Sequence, residues 1–147
     1  MPELPEVETV RRGLADLLPG QAVVRATVFD SPKSFPNSPP DVQQFLYGAH
    51  VTAVRRRAKV LMIDLDTRYS LVIHLKMTGQ LIFRGANSFA GGHPNDSLIG
   101  ELPDRSTRVQ IDFTDGSRLF FNDQRKFGWM KLMPTDEIEN LPFMQKV

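Results

Sequence analysis

The sequence predicts a mainly β fold, a two-layer antiparallel β-sandwich with helices at its edges. Short segments rich in Val, Ile and Leu recur along the 147 residues, and turns that contain glycine or polar residues divide them. The turn Thr114–Ser117 joins two such segments with alternating apolar residues, which is typical of a β-hairpin. The length fits a single domain with a sizeable core.

An amphipathic helix is predicted at the N-terminus, so that the helix carries the first residues at its start. It begins at Pro5, has the acidic Glu6 and Glu8 in its first turn and stops at Pro19 and Gly20. Apolar residues recur along it at helical spacing, namely Val7, Val10, Leu14, Leu17 and Leu18. We therefore expect packing of this helix to hold Pro2 and Glu3 against the domain.

The middle of the chain is predicted to be mostly strands. A strand over Ala22–Phe29 is followed by a proline-rich loop over residues 31–40 and by a short helix over Asp41–Tyr47. The next four strands are expected to form an antiparallel meander, and they cover His50–Arg57, Lys59–Asp66, Tyr69–Leu75 and Gly79–Arg84.

The last third begins with residues 86–105, which are polar and rich in glycine and predict a long loop. The hairpin then places strands at Val109–Phe113 and Leu119–Phe121, and one more strand is predicted over Phe127–Met133. A short helix capped by Thr135 is expected to follow.

Composition excludes several classes of protein. The chain has no cysteine, which removes disulfides, thiolate nucleophiles and cysteine-bound zinc. It has no long apolar segment, no secretion signal, and none of the glycine-rich, Walker, HExxH or GxSxG motifs. We expect no membrane association and a cytoplasmic location. The net charge is only +1, but residues 55–59 and 125–126 are rich in Arg and Lys, which predicts either a local basic face or two ordinary solvated segments.

The first residues carry a chemical possibility of their own. Once Met1 is removed, Pro2 has a secondary amine, and α-amines titrate near pH 8, so a large fraction is nucleophilic in a cell. Such an amine can form a Schiff base with an aldehyde-like carbon, and the adjacent Glu3 can donate a proton. The alternative is that proline and glutamate simply suit the start of a helix.

Four stretches in order give the chain a resemblance to a known family. They are MPELPEVETVRRGL, RRRAKVLMIDL, HLKMTGQL and NDQRKFGWMKL. With them the chain resembles the formamidopyrimidine-DNA glycosylase and endonuclease VIII family, in its formamidopyrimidine-DNA glycosylase branch. The resemblance implies a bifunctional DNA glycosylase and AP lyase for oxidised purines such as 8-oxoguanine and formamidopyrimidines, which acts by β,δ-elimination.

The resemblance also implies roles for four residues in catalysis. Pro2 attacks C1′ of the damaged nucleotide, and Glu3 protonates the oxygen of the sugar ring. Glu6 helps to order the same pocket. Lys59 contacts a phosphate beside the lesion and assists the elimination steps.

Four further residues are expected to contact DNA. His74 is expected to neutralise phosphate together with Lys59, although a lone histidine is more often a core residue. Met77, Arg125 and Phe127 form the set that in this family fills the gap left by the extruded nucleotide. Taken singly, Met77 and Phe127 are typical core residues, but within their motifs the wedge interpretation is favoured.

The chain departs from the family pattern in two places. Relatives carry histidines before the strand that begins near Thr107, where this chain offers only Arg105 or Arg108 as replacements. His93 has no assigned role. Family members also continue into a helical domain with a helix-two-turn-helix element and a zinc finger of four cysteines, so residues 1–147 are expected to be the N-terminal catalytic domain.

These expectations define the partners. The chain should bind double-stranded DNA with oxidised bases or abasic sites, as a monomer near the bacterial nucleoid. When isolated it should bind weakly and have weak or no activity. It should hold no cofactor itself, with zinc in the second domain. Two alternatives stay open, a noncatalytic damaged-DNA-binding or scaffold module and a plain β-sandwich interaction domain.

Overall fold

A computed structural model describes residues 2–142 and 144 as two antiparallel sheets with helices at their edges. The predicted two-layer sandwich is therefore confirmed. The nine strands of this described part are β1 (Val23–Val28), β2 (Val51–Arg57), β3 (Val60–Leu65), β4 (Tyr69–His74), β5 (Gly79–Arg84), β6 (Ser88–Gly92), β7 (Thr107–Phe113), β8 (Arg118–Asp123) and β9 (Trp129–Pro134).

The strand order explains how distant motifs meet. One sheet has the order β1-β7-β8-β5-β6 and the other β2-β3-β4-β9. The predicted meander holds for β2, β3 and β4 but is wrong for β5, which crosses to the other sheet and pairs with β8 and β6. Apolar alternation identifies a strand without identifying its partner, because both sheets face the same core.

The N-terminal helix α1 covers Leu4–Leu17 and buries Val7, Val10 and Leu14, as the periodicity predicts. Glu3 is its N-cap in an extended conformation, and the amide of Val7 donates to the carbonyl of Glu3 at 3.0 Å. Pro2 is buried and lies against the domain, whereas the Glu3 side chain is exposed.

Strand β6 lies where the sequence predicts only loop. Phe89 packs against the main core, and a Cβ atom at Gly91 would lie 2.8 Å from the side chain of Val10, so β6 runs close beneath α1. The close approach requires glycine. Because glycine has low strand propensity, the local sequence does not predict this strand.

The short helices differ from prediction at their ends. Helix α2 covers Pro39–Phe45, two residues earlier than predicted, because its two prolines occupy the first turn. The segment Thr135–Asn140 is a 3-10 helix with Pro134 at its N-cap, so the predicted cap at Thr135 is wrong. Two more 3-10 turns, Pro32–Ser34 and Asp96–Leu98, lie in the predicted loops.

The core lies between the two sheets and beneath α1, where side chains from both sheets pack together. A smaller apolar cluster on the outer face of the β2-β3-β4-β9 sheet includes Val60, Met62 and Val72, and Trp129 packs against it. Over residues 2–142 and 144, no helix combines the length and apolar character needed to cross a bilayer.

Candidate active site

The start of α1 meets the turn between β2 and β3 at an ion pair. Lys59 Nζ lies 3.2 Å from Glu3 Oε2. Glu3 directly follows Pro2 in the chain, and Pro2 is buried. The Glu3 side chain is 63% exposed and that of Lys59 33% exposed, so an incoming ligand can reach both. The structure thus brings Lys59 to Glu3, the residue that follows Pro2 in the chain.

Glu6 is the fourth, and it is exposed in the first turn of α1. None of the hydrogen bonds and ion pairs described for residues 2–142 and 144 joins Glu6 to Glu3 or Lys59. Its predicted role in ordering the pocket stays a prediction.

An arginine bracket fixes the turn that carries Lys59. Arg56 Nε donates to Glu8 Oε1 at 2.8 Å, and Arg56 Nη1 donates to the carbonyl of Ala58 at 3.0 Å. Ala58 has a positive φ of 51°, which a two-residue turn between paired strands requires. Because Glu8 belongs to α1, Arg56 ties the helix to the turn, and Lys59 is thereby held near Glu3.

Glu8 is the centre of this bracket and was missed by the sequence reasoning. It accepts hydrogen bonds from Arg11 and Arg12 on its own helix as well as from Arg56. The bonds from Arg11 and Arg56, more than any other cause, hold the pKa of Glu8 far below its usual range. Glu8 therefore stays ionised and the bracket stays closed over the whole physiological pH range.

His74 ends β4 and is neutral at pH 7. Burial, followed by the charges of Lys76 and Lys59, lowers the pKa of His74 to about 4. Its Nδ1 accepts a hydrogen bond from the amide of Lys76 at 3.1 Å, so the neutral ring carries its proton on Nε2. In the free protein His74 can donate a hydrogen bond to phosphate but does not supply the positive charge expected from the sequence.

The three predicted wedge residues lie together on the surface. Met77 is 40% exposed and Phe127 is 55% exposed, so neither is a core residue. The guanidinium of Arg125 lies 5.6 Å from the centre of the Phe127 ring, and its Nη1 lies 3.9 Å from the sulfur of Met77. Two turns far apart in sequence thus form one exposed cluster of apolar and cationic groups.

A buried carboxylate joins these two turns. Asp123 is fully buried and accepts hydrogen bonds from Thr78 Oγ1 at 2.5 Å and from the amide of Gly128 at 2.6 Å. Thr78 Oγ1 in turn accepts from the amide of Arg125 at 3.0 Å. Asp123 therefore fixes the position of the Met77 turn relative to the Arg125 turn.

Arg108 cannot replace the histidines that relatives carry near Thr107. It is 6% exposed, and its Nε donates to the carbonyl of Asp123 at 2.8 Å, so it has a structural role. Arg105 is exposed and stays available for a contact with DNA.

A groove of about 700 Å³ opens beside Lys59 and His74. Its described lining holds four lysines and no carboxylate, and it also contains Trp129, the single tryptophan of the chain. We call it the lysine groove, and it is lined by Lys33, Pro36, Ala58, Lys59, Val60, His74, Lys76, Trp129, Lys131 and Leu141. The groove could not be predicted from local patterns, because its lining comes from five separate segments.

The structure offers no metal site within its described part. No three His, Asp or Glu side chains there come together in a way that could hold a metal ion. The zinc that the family resemblance implies is expected in the second domain, and its place there stays a prediction.

The chain is similar to known proteins over nearly its whole length. The protein-family model for the formamidopyrimidine-DNA glycosylase N-terminal domain matches residues 1–130 of this chain. A formamidopyrimidine-DNA glycosylase of Cereibacter sphaeroides is 40% identical over 146 residues, which are 98% of this chain and 49% of the relative. One of Jannaschia sp. is 44% identical over 137 residues, which are 92% of this chain and 46% of the relative.

Solved structures show the same fold. A complex of the Lactococcus lactis Fpg with abasic-site DNA has a TM-score of 0.77 at 27% identity, over 98% of this chain and 47% of that chain. A complex of the same enzyme with DNA containing N7-benzyl-Fapy-dG has a TM-score of 0.77 at 28% identity, over 99% of this chain and 48% of that chain. The present chain spans about half the length of the relatives it matches.

Proposed function

Because the chain belongs to the formamidopyrimidine-DNA glycosylase family, we propose that residues 1–147 form the catalytic half of a DNA glycosylase and AP lyase. Its substrate is DNA that carries oxidised purines or abasic sites. The observation that carries the proposal is the Glu3–Lys59 pair beside Pro2 at the start of α1.

The first step uses the amine of Pro2, which is free once Met1 is removed. The Pro2 nitrogen bonds to C1′ of the damaged nucleotide, the bond from C1′ to the base breaks, and the base leaves with the proton that the Pro2 nitrogen gives up. Glu3 protonates the sugar ring oxygen as the ring opens, which leaves a Schiff base between Pro2 and the sugar. The exposed Glu3 carboxylate can exchange protons with solvent between these steps.

Lys59 has two partners in this scheme. In the free protein it pairs with Glu3, and exposed pairs of this kind contribute only about 0–1 kcal/mol. A DNA phosphate can therefore displace Glu3 from Lys59 at little cost. Lys59 then holds the phosphate beside the lesion, and Glu3 is free to act on the sugar.

The wedge cluster accounts for access to the damaged base. An enzyme that acts on a base must rotate its nucleotide out of the duplex and fill the gap that is left. Met77 and Phe127 present apolar surface to that gap, and Arg125 can donate hydrogen bonds to the orphaned base. The His74 Nε2 proton and Lys59 are then directed to the backbone, where binding is independent of sequence and sensitive to salt.

The remaining parts of the proposal concern the whole protein. We infer that a second half holds the zinc and completes the DNA cleft, that the protein acts as a monomer, and that it works at the bacterial nucleoid. Since this half supplies only one wall of the cleft, its own affinity for lesion DNA should be low. The preference for oxidised purines is supported by the Met77, Arg125 and Phe127 set.

A variant of Glu3 tests the proposal. Glu3→Gln keeps the size of the side chain but removes the acid, so base excision from an 8-oxoguanine duplex should be lost while DNA binding is retained. Glu101→Gln, at an exposed loop position, is the matched control and should excise normally. Full excision by Glu3→Gln would remove Glu3 from its role, whereas absence of any borohydride-trapped adduct on abasic-site DNA would favour a noncatalytic damaged-DNA-binding module.

A further inference from the structure

We propose that the lysine groove binds one nucleotide of the DNA strand that passes Lys59, with the base against Trp129 and the phosphate among the lysines. That a DNA strand passes Lys59 rests on the proposed function, but nucleotide binding in the groove can be tested without catalysis. Its volume of about 700 Å³ lies within the range of sites that bind small molecules.

Strand register builds the floor of the groove. Val60 pairs with His74 and His74 pairs with Trp129, so these three residues form one row across β3, β4 and β9. The rings of His74 and Trp129 lie 6.1 Å apart and are tilted by 50°. Lys131 lies two residues beyond Trp129 on β9 and therefore projects from the same face of the sheet.

The charge of the groove selects an anion. Lys33, Lys76 and Lys131 line it, and the contacts described for residues 2–142 and 144 give none of these three a carboxylate partner. Within the described part of the chain, the one carboxylate partner given for Lys59 is the exposed Glu3. His74 is neutral, so the cations surround an apolar and aromatic floor and are not mixed with acids.

This combination fits a nucleotide better than other ligands. An indole surface is a stacking platform for any base, and a surrounding set of lysines attracts the phosphate. A purely apolar partner would gain nothing from four lysines, and an acidic peptide would gain nothing from the indole surface. Since Lys59 and His74 line both the groove and the proposed path of the backbone, a flanking nucleotide can enter without leaving the strand.

The single tryptophan makes the test direct, because all tryptophan fluorescence of the chain comes from Trp129. The chain is titrated with dAMP, with deoxyadenosine, with inorganic phosphate and with a tetraglutamate peptide. We expect saturable quenching by dAMP, at least tenfold weaker binding of deoxyadenosine and of phosphate, and no quenching by the peptide.

Two lysine variants locate the phosphate. Lys131→Ala should weaken dAMP binding about tenfold, whereas Lys126→Ala, which lies outside the groove, should leave it unchanged. Trp129→Leu, followed by calorimetry, should also bind dAMP about tenfold more weakly. Absence of saturation by dAMP, equal binding of deoxyadenosine, equal quenching by tetraglutamate, or equal effects of the two lysine variants would each overturn the proposal.

Failure of the groove and failure of the proposed function give different results. Binding of dAMP without any covalent adduct on abasic-site DNA would support the groove and count against the catalytic role. An adduct on Pro2 in a chain that does not bind dAMP would retain the catalytic role and overturn the groove.

Discussion

Removal of the Asp123 carboxylate should separate the two turns that carry the wedge residues. In Asp123→Ala the hydroxyl of Thr78 and the amide of Gly128 both lose their acceptor. Both donors lie in a region that water does not reach, because Asp123 is fully buried and Thr78 and Gly128 are also buried. The loss is therefore not compensated by solvent.

The magnitude follows from these two bonds. A buried donor left unsatisfied costs about 1–3 kcal/mol, so the free energy of unfolding should fall by about 4 kcal/mol. For a chain of this size each kcal/mol corresponds to about 2–4 °C, so the melting temperature should fall by roughly 8–16 °C. Asp123→Asn should lose less, because its amide oxygen can still accept from Gly128 and its NH2 can donate to Thr78 Oγ1.

Urea and thermal unfolding, followed by circular dichroism, measure the effect. The matched control is Asp112→Ala, whose carboxylate is 17% exposed, pairs with Arg25 at 3.3 Å and accepts a hydrogen bond from Gln110 Nε2 at 2.9 Å. A pair of this kind contributes about 0–1 kcal/mol. If Asp123→Ala were no less stable than Asp112→Ala, Asp123 would not hold the two turns together.

Three further predictions concern the site. The side chain in Arg56→Lys cannot bind both Glu8 and the carbonyl of Ala58, so covalent trapping on abasic-site DNA should slow by about tenfold to a hundredfold. The control, Arg12→Ala, should trap at the normal rate. Equal rates for the unchanged chain and both variants would contradict the role of the bracket. A phosphate should raise the pKa of His74 from about 4, so the complex takes up a proton and affinity for abasic-site DNA should rise as pH falls from 7 to 5. Fluorescence anisotropy measures this slope, and a slope that persists unchanged in His74→Gln would contradict the assignment. Phe127→Ala should change the free energy of unfolding by less than about 0.5 kcal/mol, because the ring is mostly exposed. The same variant should weaken DNA binding. A large loss of stability would show instead that Phe127 is a core residue.

Local patterns were sufficient for most of the fold. The spacing of Val7, Val10 and Leu14 predicted α1, and apolar alternation predicted most of the strands. Strand β6 was not predicted because Gly91 and Gly92 have low strand propensity. These two glycines allow β6 to approach α1 and β5 closely. The sheet to which β5 belongs depends on long-range pairing and has no local signal.

Only those residues of the candidate site that lie in recognisable sequence motifs were predicted from the sequence. Lys59 and the wedge residues were found through the four matching stretches, and the structure brings the wedge residues together. The Glu8–Arg56 contact joins positions 48 residues apart, and neither residue has a distinctive neighbourhood in sequence. The neutral state of His74 depends on burial and on the nearby lysines, and the lysine groove depends on the register of β3, β4 and β9.

The central claim is that the nitrogen of Pro2 is the nucleophile. Reductive trapping tests it most directly: the chain that begins at Pro2 is incubated with abasic-site DNA and borohydride, and the covalent product is digested and mapped by mass spectrometry. The account predicts that the sugar remnant is attached to the Pro2 nitrogen. Attachment to Lys59 or another lysine, with the Pro2 peptide unmodified, would contradict it.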